Sequence, residues 1–286
     1  MGRPMAERLL KASYSLTVWN RTRVKAEVLA PFNAHIVSQP DEAVEHADIV
    51  ITMLEAGPVV AQVLDAVLAA MRPGTLVIDM SSTKQSEAED VHQKLKAHGV
   101  GFIDAPVSGG VLGAEAGTLA IMVGGSVESF ARAEPLLKTM GRPTLIGPVG
   151  CGQVAKMCNQ LIVGGTIAIV AEALLLAHSC GADPAAVRAA IRGGFAESRI
   201  LEVHGQRMLE RDFVPGGQVR SQAKDLENVL DAASHAGLLL PVAELVTQSY
   251  LGILDTFPNA DQAAALLGLE KLNPGRRLGA DEDRLP

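Results

Sequence analysis

Up to Pro148 the chain alternates short apolar, β-rich runs with helical segments of about a dozen residues, and after Pro148 the β-rich runs stop. That switch constrains the fold more than any single motif. Residues 14–21 (YSLTVWNR), 47–54 (ADIVITML), 74–82 (GTLVIDMSS), 99–107 (GVGFIDAPV), 119–125 and 144–147 read as strands, with helices over 59–71, 86–98 and 127–140 between them. Near-continuous apolar strands alternating with helices predict a parallel α/β sheet covered on both faces. Beyond it the patterns are helical: 156–179, 184–192, 199–211 and 221–236, with Pro184 and Pro241 placed as first-turn prolines. The expected division is an α/β domain over 1–148, an all-α domain over 149–273 and a flexible polar tail over 274–286.

Composition narrows the function classes. Of 286 residues, 48% are apolar and 20% charged, which excludes a disordered chain, and the nine aromatics leave the core to aliphatic side chains and alanine. Lys plus Arg number 25 against 32 Asp plus Glu, so binding to a phosphate backbone has no electrostatic support and no nucleic-acid partner is expected. Cys151, Cys158 and Cys180 are too few and wrongly spaced for a disulfide framework or a closed zinc site, the histidines show no H-x-x-x-H spacing, and no metal is expected. A reducing, cytoplasmic setting fits these thiols, and the charges scattered through the first 19 residues do not form a secretory signal. Residues 161–178 are the most membrane-like, but Glu172, Gly164 and Gly165 interrupt them and only Lys156 flanks them; they read as a buried helix central to the second domain and to a subunit interface, giving a homodimer or homotetramer and no membrane partner.

Two segments carry chemistry. Residues 104–119, DAPVSGGVLGAEAGTL, put a serine and four glycines directly after a buried strand, exposing a hydroxyl and backbone N–H groups able to grip a carboxylate; the spacing alone fits a plain loop equally well. Further on, Lys156, Asn159 and Gln160 fall at i, i+3 and i+4 and share one helical face. At the end of the strand over 14–21, Trp19, Asn20, Arg21 and Thr22 include no acid. An acid there would take a ribose diol, whereas arginine accepts a 2′-phosphate, so NADP(H) is favoured over NAD(H).

Together these segments resemble the β-hydroxyacid dehydrogenase family. The resemblance runs from Gly2-Arg3-Pro4-Met5-Ala6 through Asn20-Arg21-Thr22, residues 104–119 and Lys156-x-x-Asn159-Gln160 to Lys224-Asp225-Leu226, up to about Asn273. It implies a Rossmann-like parallel sheet domain, lacking its first strand, followed by an all-α domain. It further implies that Ser108, Gly109 and Gly110 bind a substrate carboxylate, that Lys156 is the general acid with Asn159 and Gln160 orienting, and that Gly2, Asn20, Arg21, Thr22, Met53, Leu54, Ser82 and Lys224 face the cofactor. A hydride delivered to an aldehyde leaves an alkoxide, and an ammonium group both stabilises that charge and protonates it. Residues 193–217 look most like those of members that reduce tartronate semialdehyde to glycerate; members acting on methylmalonate semialdehyde/3-hydroxyisobutyrate, glyoxylate or succinic semialdehyde share the same loop and lysine.

One departure stands out. The family's opening apolar strand and first two glycines are absent before Met1, and loss of a central strand would strand backbone groups on both neighbours. The expectation drawn is that the natural protein begins upstream. The competing reading is a cofactor-poor homologue acting as a non-catalytic oligomeric or interaction protein.

Overall fold

The computed structural model describes residues Met1–Pro286 and divides them into two compact units, Met1–Lys156 and Met157–Pro286. The division falls eight residues beyond the expected boundary, because one long helix runs from the first unit into the second.

In the first unit the elements are α1 (Gly2–Lys11), β1 (Thr17–Val18), α2 (Val24–Glu27), β2 (His35–Ile36), α3 (Pro40–Val44), β3 (Ile49–Thr52), α4 (Gly57–Val67), β4 (Leu76–Asp79), α5 (Gln85–Ala97), β5 (Gly101–Asp104), β6 (Val107–Ser108), α6 (Gly110–Ala116), β7 (Leu119–Gly124), α7 (Val127–Leu137) and β8 (Gly141–Gly147). β3, β4 and β5 run parallel in one register, Ile51 opposite Ile78 and Ile78 opposite Ile103. β7 joins β5 and β6 antiparallel and β8 parallel, so the sheet is mixed at that end rather than parallel throughout. β1 pairs only with β2, in a separate two-stranded parallel sheet, and β3 is the edge of the six-stranded one.

β4 shows why the sequence folds this way. All four of its residues are buried, and successive side chains point to opposite faces. Leu76 and Ile78 pack with Met5 and Leu9 of α1 and with Leu136 and Leu137 of α7, while Val77 packs with Val60 and Leu64 of α4 and Val91 and Leu95 of α5. Two apolar layers on one strand require helices on both faces. Local caps fix several helix starts: Pro58 opens α4, Ser126 Oγ accepts from Ser129 N–H at α7, and Glu87 accepts from Lys84 N–H at 2.8 Å before α5.

The second unit is helical: most of α8 (Cys151–Ser179), then α9 (Pro184–Ile191), α10 (Arg199–Leu209), α11 (Val219–His235), α12 (Pro241–Leu254) and α13 (Ala265–Leu272). α8 is long and apolar enough to cross a membrane, yet Ile167, Val170, Ala171, Leu174 and Leu175 are buried with Leu201, Met208, Phe213, Leu226 and Tyr250 in the unit's own core. Its opposite side leaves Ile162, Ile169 and Leu176 exposed, seven residues apart. The final residues, expected to fray, are instead tied down. Leu278 is buried in this core, and Arg211, itself 1% exposed, binds Glu270, Asp283 and the Leu278 carbonyl. A buried guanidinium requires such partners, and the tail supplies two of them.

Candidate active site

The expected substrate loop and the expected proton donor meet within the first unit. β6 ends at Ser108, and Gly109, which caps α6, and Gly110, its first residue, follow at φ +133° and +63°, conformations open to glycine. Gly109 and Gly110 are exposed and Ser108 is half-buried. Lys156, on the second turn of α8, donates from Nζ to the Val107 carbonyl at 3.0 Å, which sets its ammonium group beside that loop. Its side chain is half-buried.

Two acids that the sequence did not flag as site residues end the neighbouring strands. Asp79 and Asp104 end β4 and β5 and are register partners, 1% and 0% exposed. Asp79 accepts from Thr52 Oγ1 at 2.7 Å and from Ser81 N–H at 3.1 Å; Asp104 accepts from Gly150 N–H at 2.7 Å and Gln153 N–H at 2.8 Å. Burial pushes both carboxyls up to about 6 against the opposing hydrogen bonds, and Asp104 adds to the rise at Asp79. Acids so displaced cluster at functional sites.

The expected cofactor residues line the carboxyl ends of three strands. Asn20, Arg21 and Thr22 follow β1; Asn20 Oδ1 accepts from Thr22 N–H at 2.8 Å, which builds the turn, and Arg21 is exposed. Met53 and Leu54 follow β3, with Leu54 N–H donating to Ser81 Oγ at 2.9 Å, and Ser82 follows β4. A Cβ at Gly2, on α1, would lie 3.8 Å from Met53 Cβ, so these two are neighbours. An exposed guanidinium on a preformed turn, with no acid over residues 19–23, fits a phosphate-bearing nucleotide.

In the second unit, Asn159, Gln160 and Lys224 join one buried polar network. Asn159 Nδ2 donates to Gln160 Oε1 at 2.8 Å, and Gln160 Nε2 donates to Gln222 Oε1 at 3.0 Å and Asp225 Oδ2 at 2.8 Å. Lys224 Nζ stands 3.2 Å from Asp225 Oδ1. The sequence did not single out Gln222, because its partner Gln160 lies 62 residues away. A buried polar residue three before Asp225 on one helix is the signal that could have found it. No group of histidines, cysteines and acids is placed to hold a metal ion.

Residues 1–176 match the family described as the NAD binding domain of 6-phosphogluconate dehydrogenase, and residues 150–269 match that described as NAD-binding of NADP-dependent 3-hydroxyisobutyrate dehydrogenase. The 2-hydroxy-3-oxopropionate reductase of Escherichia coli (strain K12) is 42% identical over 245 residues, 84% of each chain. A probable 3-hydroxyisobutyrate dehydrogenase-like 1, mitochondrial, from Arabidopsis thaliana is 37% identical over 279 residues, covering 96% of this chain and 83% of its own. The solved structure of Mycobacterium tuberculosis 3-hydroxyisobutyrate dehydrogenase with L-serine superposes with a TM-score of 0.86 at 32% identity, over 94% of this chain and 95% of that one.

Proposed function

The chain belongs to the β-hydroxyacid dehydrogenase family and is an NAD(P)-dependent oxidoreductase acting on CH–OH groups; from that premise we propose that it reduces a small carboxylate-bearing aldehyde, tartronate semialdehyde first, with Lys156 as general acid. The observation that carries the reading is the Lys156 Nζ to Val107 carbonyl hydrogen bond of 3.0 Å, one residue before Ser108.

The Ser108 hydroxyl and the N–H groups of Gly109 and Gly110 bind the substrate carboxylate and so fix which end of the molecule is held. Arg21, with Asn20 and Thr22, would hold the 2′-phosphate of NADP(H), and Gly2, Met53, Leu54, Ser82 and Lys224 are the other residues that would hold the nucleotide. The bound nicotinamide supplies the hydride. As charge develops on the aldehyde oxygen, the Lys156 ammonium stabilises it and transfers its proton, leaving a neutral amine that water reprotonates. Aldehyde, NADPH and a proton thus become hydroxyacid and NADP+. Asn159 and Gln160 orient the reacting groups, their amides held by the network through Gln222 and Asp225.

The name of the 42% identical relative favours tartronate semialdehyde, and the 3-hydroxyisobutyrate dehydrogenase names of other relatives support methylmalonate semialdehyde/3-hydroxyisobutyrate as the second reading. We place the enzyme in the cytoplasm, where its three unpaired thiols stay reduced, and assign the exposed Ile162, Ile169 and Leu176 face of α8 to a homodimer or homotetramer.

Initial rates of NADPH and NADH consumption against tartronate, methylmalonate and succinic semialdehydes, glyoxylate, and an aldehyde without a carboxylate test the reading. Tartronate semialdehyde with NADPH should give the highest kcat/KM. Equal turnover of the aldehyde lacking a carboxylate would refute the role of Ser108, Gly109 and Gly110.

A further inference from the structure

Lys156 reaches the Val107 carbonyl only if α8 starts in the right place, and no local side chain caps that start. The helix is preceded by Pro148, Val149 and Gly150, with no Ser, Thr, Asp or Asn to cap its first turn. The cap arrives from β5 instead. The buried Asp104 carboxylate spans the turn, Oδ1 accepting from Gly150 N–H and Oδ2 from Gln153 N–H, with the Gly152 N–H adding a further bond.

The surroundings are cut to fit this carboxylate. A Cβ on Gly124 would overlap Asp104 Oδ1, and one on Gly152 would lie 2.7 Å from Oδ2 and 2.5 Å from the Met122 carbonyl oxygen. Gly150 holds φ +91° to present its N–H. A second tie comes from Gln153, itself 0% exposed: its Oε1 accepts from Thr83 N–H at 3.0 Å and its Nε2 donates to the Ser81 carbonyl at 2.9 Å. One helical turn is thereby fastened to the carboxyl ends of both β4 and β5.

These bonds close a ring around the proposed proton donor. From Asp104 the backbone runs through Ala105 and Pro106 to Val107, whose carbonyl accepts from Lys156 Nζ. From Gly152 the helix rises about 6 Å to Lys156. The strand end grips the helix through the Asp104 side chain, and the helix grips the same strand end through its lysine. We infer that Asp104 and Gln153 are positioning residues for Lys156, setting where α8 starts against β4 and β5 so that Nζ stands beside the Ser108 turn. The inference rests on the reading of Lys156 as proton donor. A displacement of about 1 Å in such a group costs about a hundredfold in rate.

The test uses the full chain with Asp104→Asn, which keeps the shape of the side chain, Gln153→Met, which keeps its length without its hydrogen bonds, and Lys156→Ala as reference. Thermal stability, NADPH affinity and steady-state kinetics with tartronate semialdehyde are measured, together with the rate at which formaldehyde and cyanoborohydride methylate Lys156, followed by peptide mass. Both positioning variants should bind NADPH as the parent does, lose about tenfold to a hundredfold in kcat with KM little changed, and methylate at Lys156 at an altered rate. A lowered melting temperature with kcat and labelling within about twofold of the parent would overturn the inference, since a purely structural role moves stability alone. If Lys156→Ala keeps the parent's kcat, the proton-donor reading fails, and the labelling rates still decide whether Asp104 and Gln153 place the lysine. Should Asp104→Asn not fold, Gln153→Met, which leaves the carboxylate in place, carries the decision.

Discussion

The two units bury carboxylates in opposite ways. In the first, Asp79 and Asp104 end adjacent strands, and their hydrogen-bond partners are hydroxyls and backbone N–H groups; burial wins and both are pushed up to about 6. In the second, Asp261 is as deeply buried but accepts from His204 Nδ1 at 3.2 Å and from the N–H groups of Gly216 and Ala263, with Arg207 3.9 Å away. Its burial also opposes ionisation, yet these partners outweigh it and hold its carboxyl below the usual range. Burial alone therefore does not set the sign; the partners do. The sheet unit holds a pair of acids whose ionisation burial disfavours, whereas the helical unit uses matched charges as fasteners.

The sharpest way to break the comparison is to remove a fastener. Arg211→Met leaves Glu270 only the Leu278 N–H and Asp283 only Arg277, and leaves the Leu278 carbonyl without its side-chain donor. The expected loss is about 3–5 kcal/mol in urea unfolding, with release of the segment around Leu278. A loss of only a few tenths would mean that the tail is not held by charge.

The buried pair gives a smaller effect with a distinctive sign. An acid whose folded value lies above its unfolded value of 3.8 makes the folded state hold protons that the unfolded chain releases. Asp79 and Asp104 therefore make stability fall as pH rises from about 4 to about 6, and acidification from neutrality to pH 5 restores part of it. Asp79→Asn should flatten that slope and add about 1–3 kcal/mol at pH 7. Asp261 acts in reverse: its contribution is present at neutral pH and is lost as the pH falls below the ordinary carboxylate value. Melting curves from about pH 2 to pH 8 for Asp79→Asn and Asp261→Asn separate the two signs. The smallest effect belongs to the surface: the 2.9 Å pair between Lys94 and Asp65, both about half exposed, should contribute less than about 1 kcal/mol in a double-mutant cycle.

What could be read from the sequence follows the same division between local and distant forces. β4 and β5 are legible because strands buried on both faces must be continuously apolar, β3 because its run is apolar even at the sheet edge, and α9 because Asp183 and Pro184 announce its start. β2, two residues long, carries no periodic signal. α6 hides in a glycine-rich stretch that reads as loop, since each helical glycine costs about 1 kcal/mol; the fold forms it between Gly109 and Gly117, which turn the chain at positive φ. The helix expected from Lys156 begins at Cys151 because its cap, Asp104, is 46 residues away from Gly150. In the same way the spacing of Lys156, Asn159 and Gln160 is visible in the sequence, whereas the partners that hold them, Val107, Gln222 and Asp225, are supplied by tertiary structure.

The proposed mechanism turns on Lys156 protonating the nascent alkoxide. The direct measurement is kcat of Lys156→Ala with NADPH and tartronate semialdehyde, with and without added methylamine. A fall in kcat of about a hundredfold to ten-thousandfold, unchanged NADPH affinity and partial rescue by the amine are expected. Turnover near that of the parent, with no response to the amine, would contradict that mechanism.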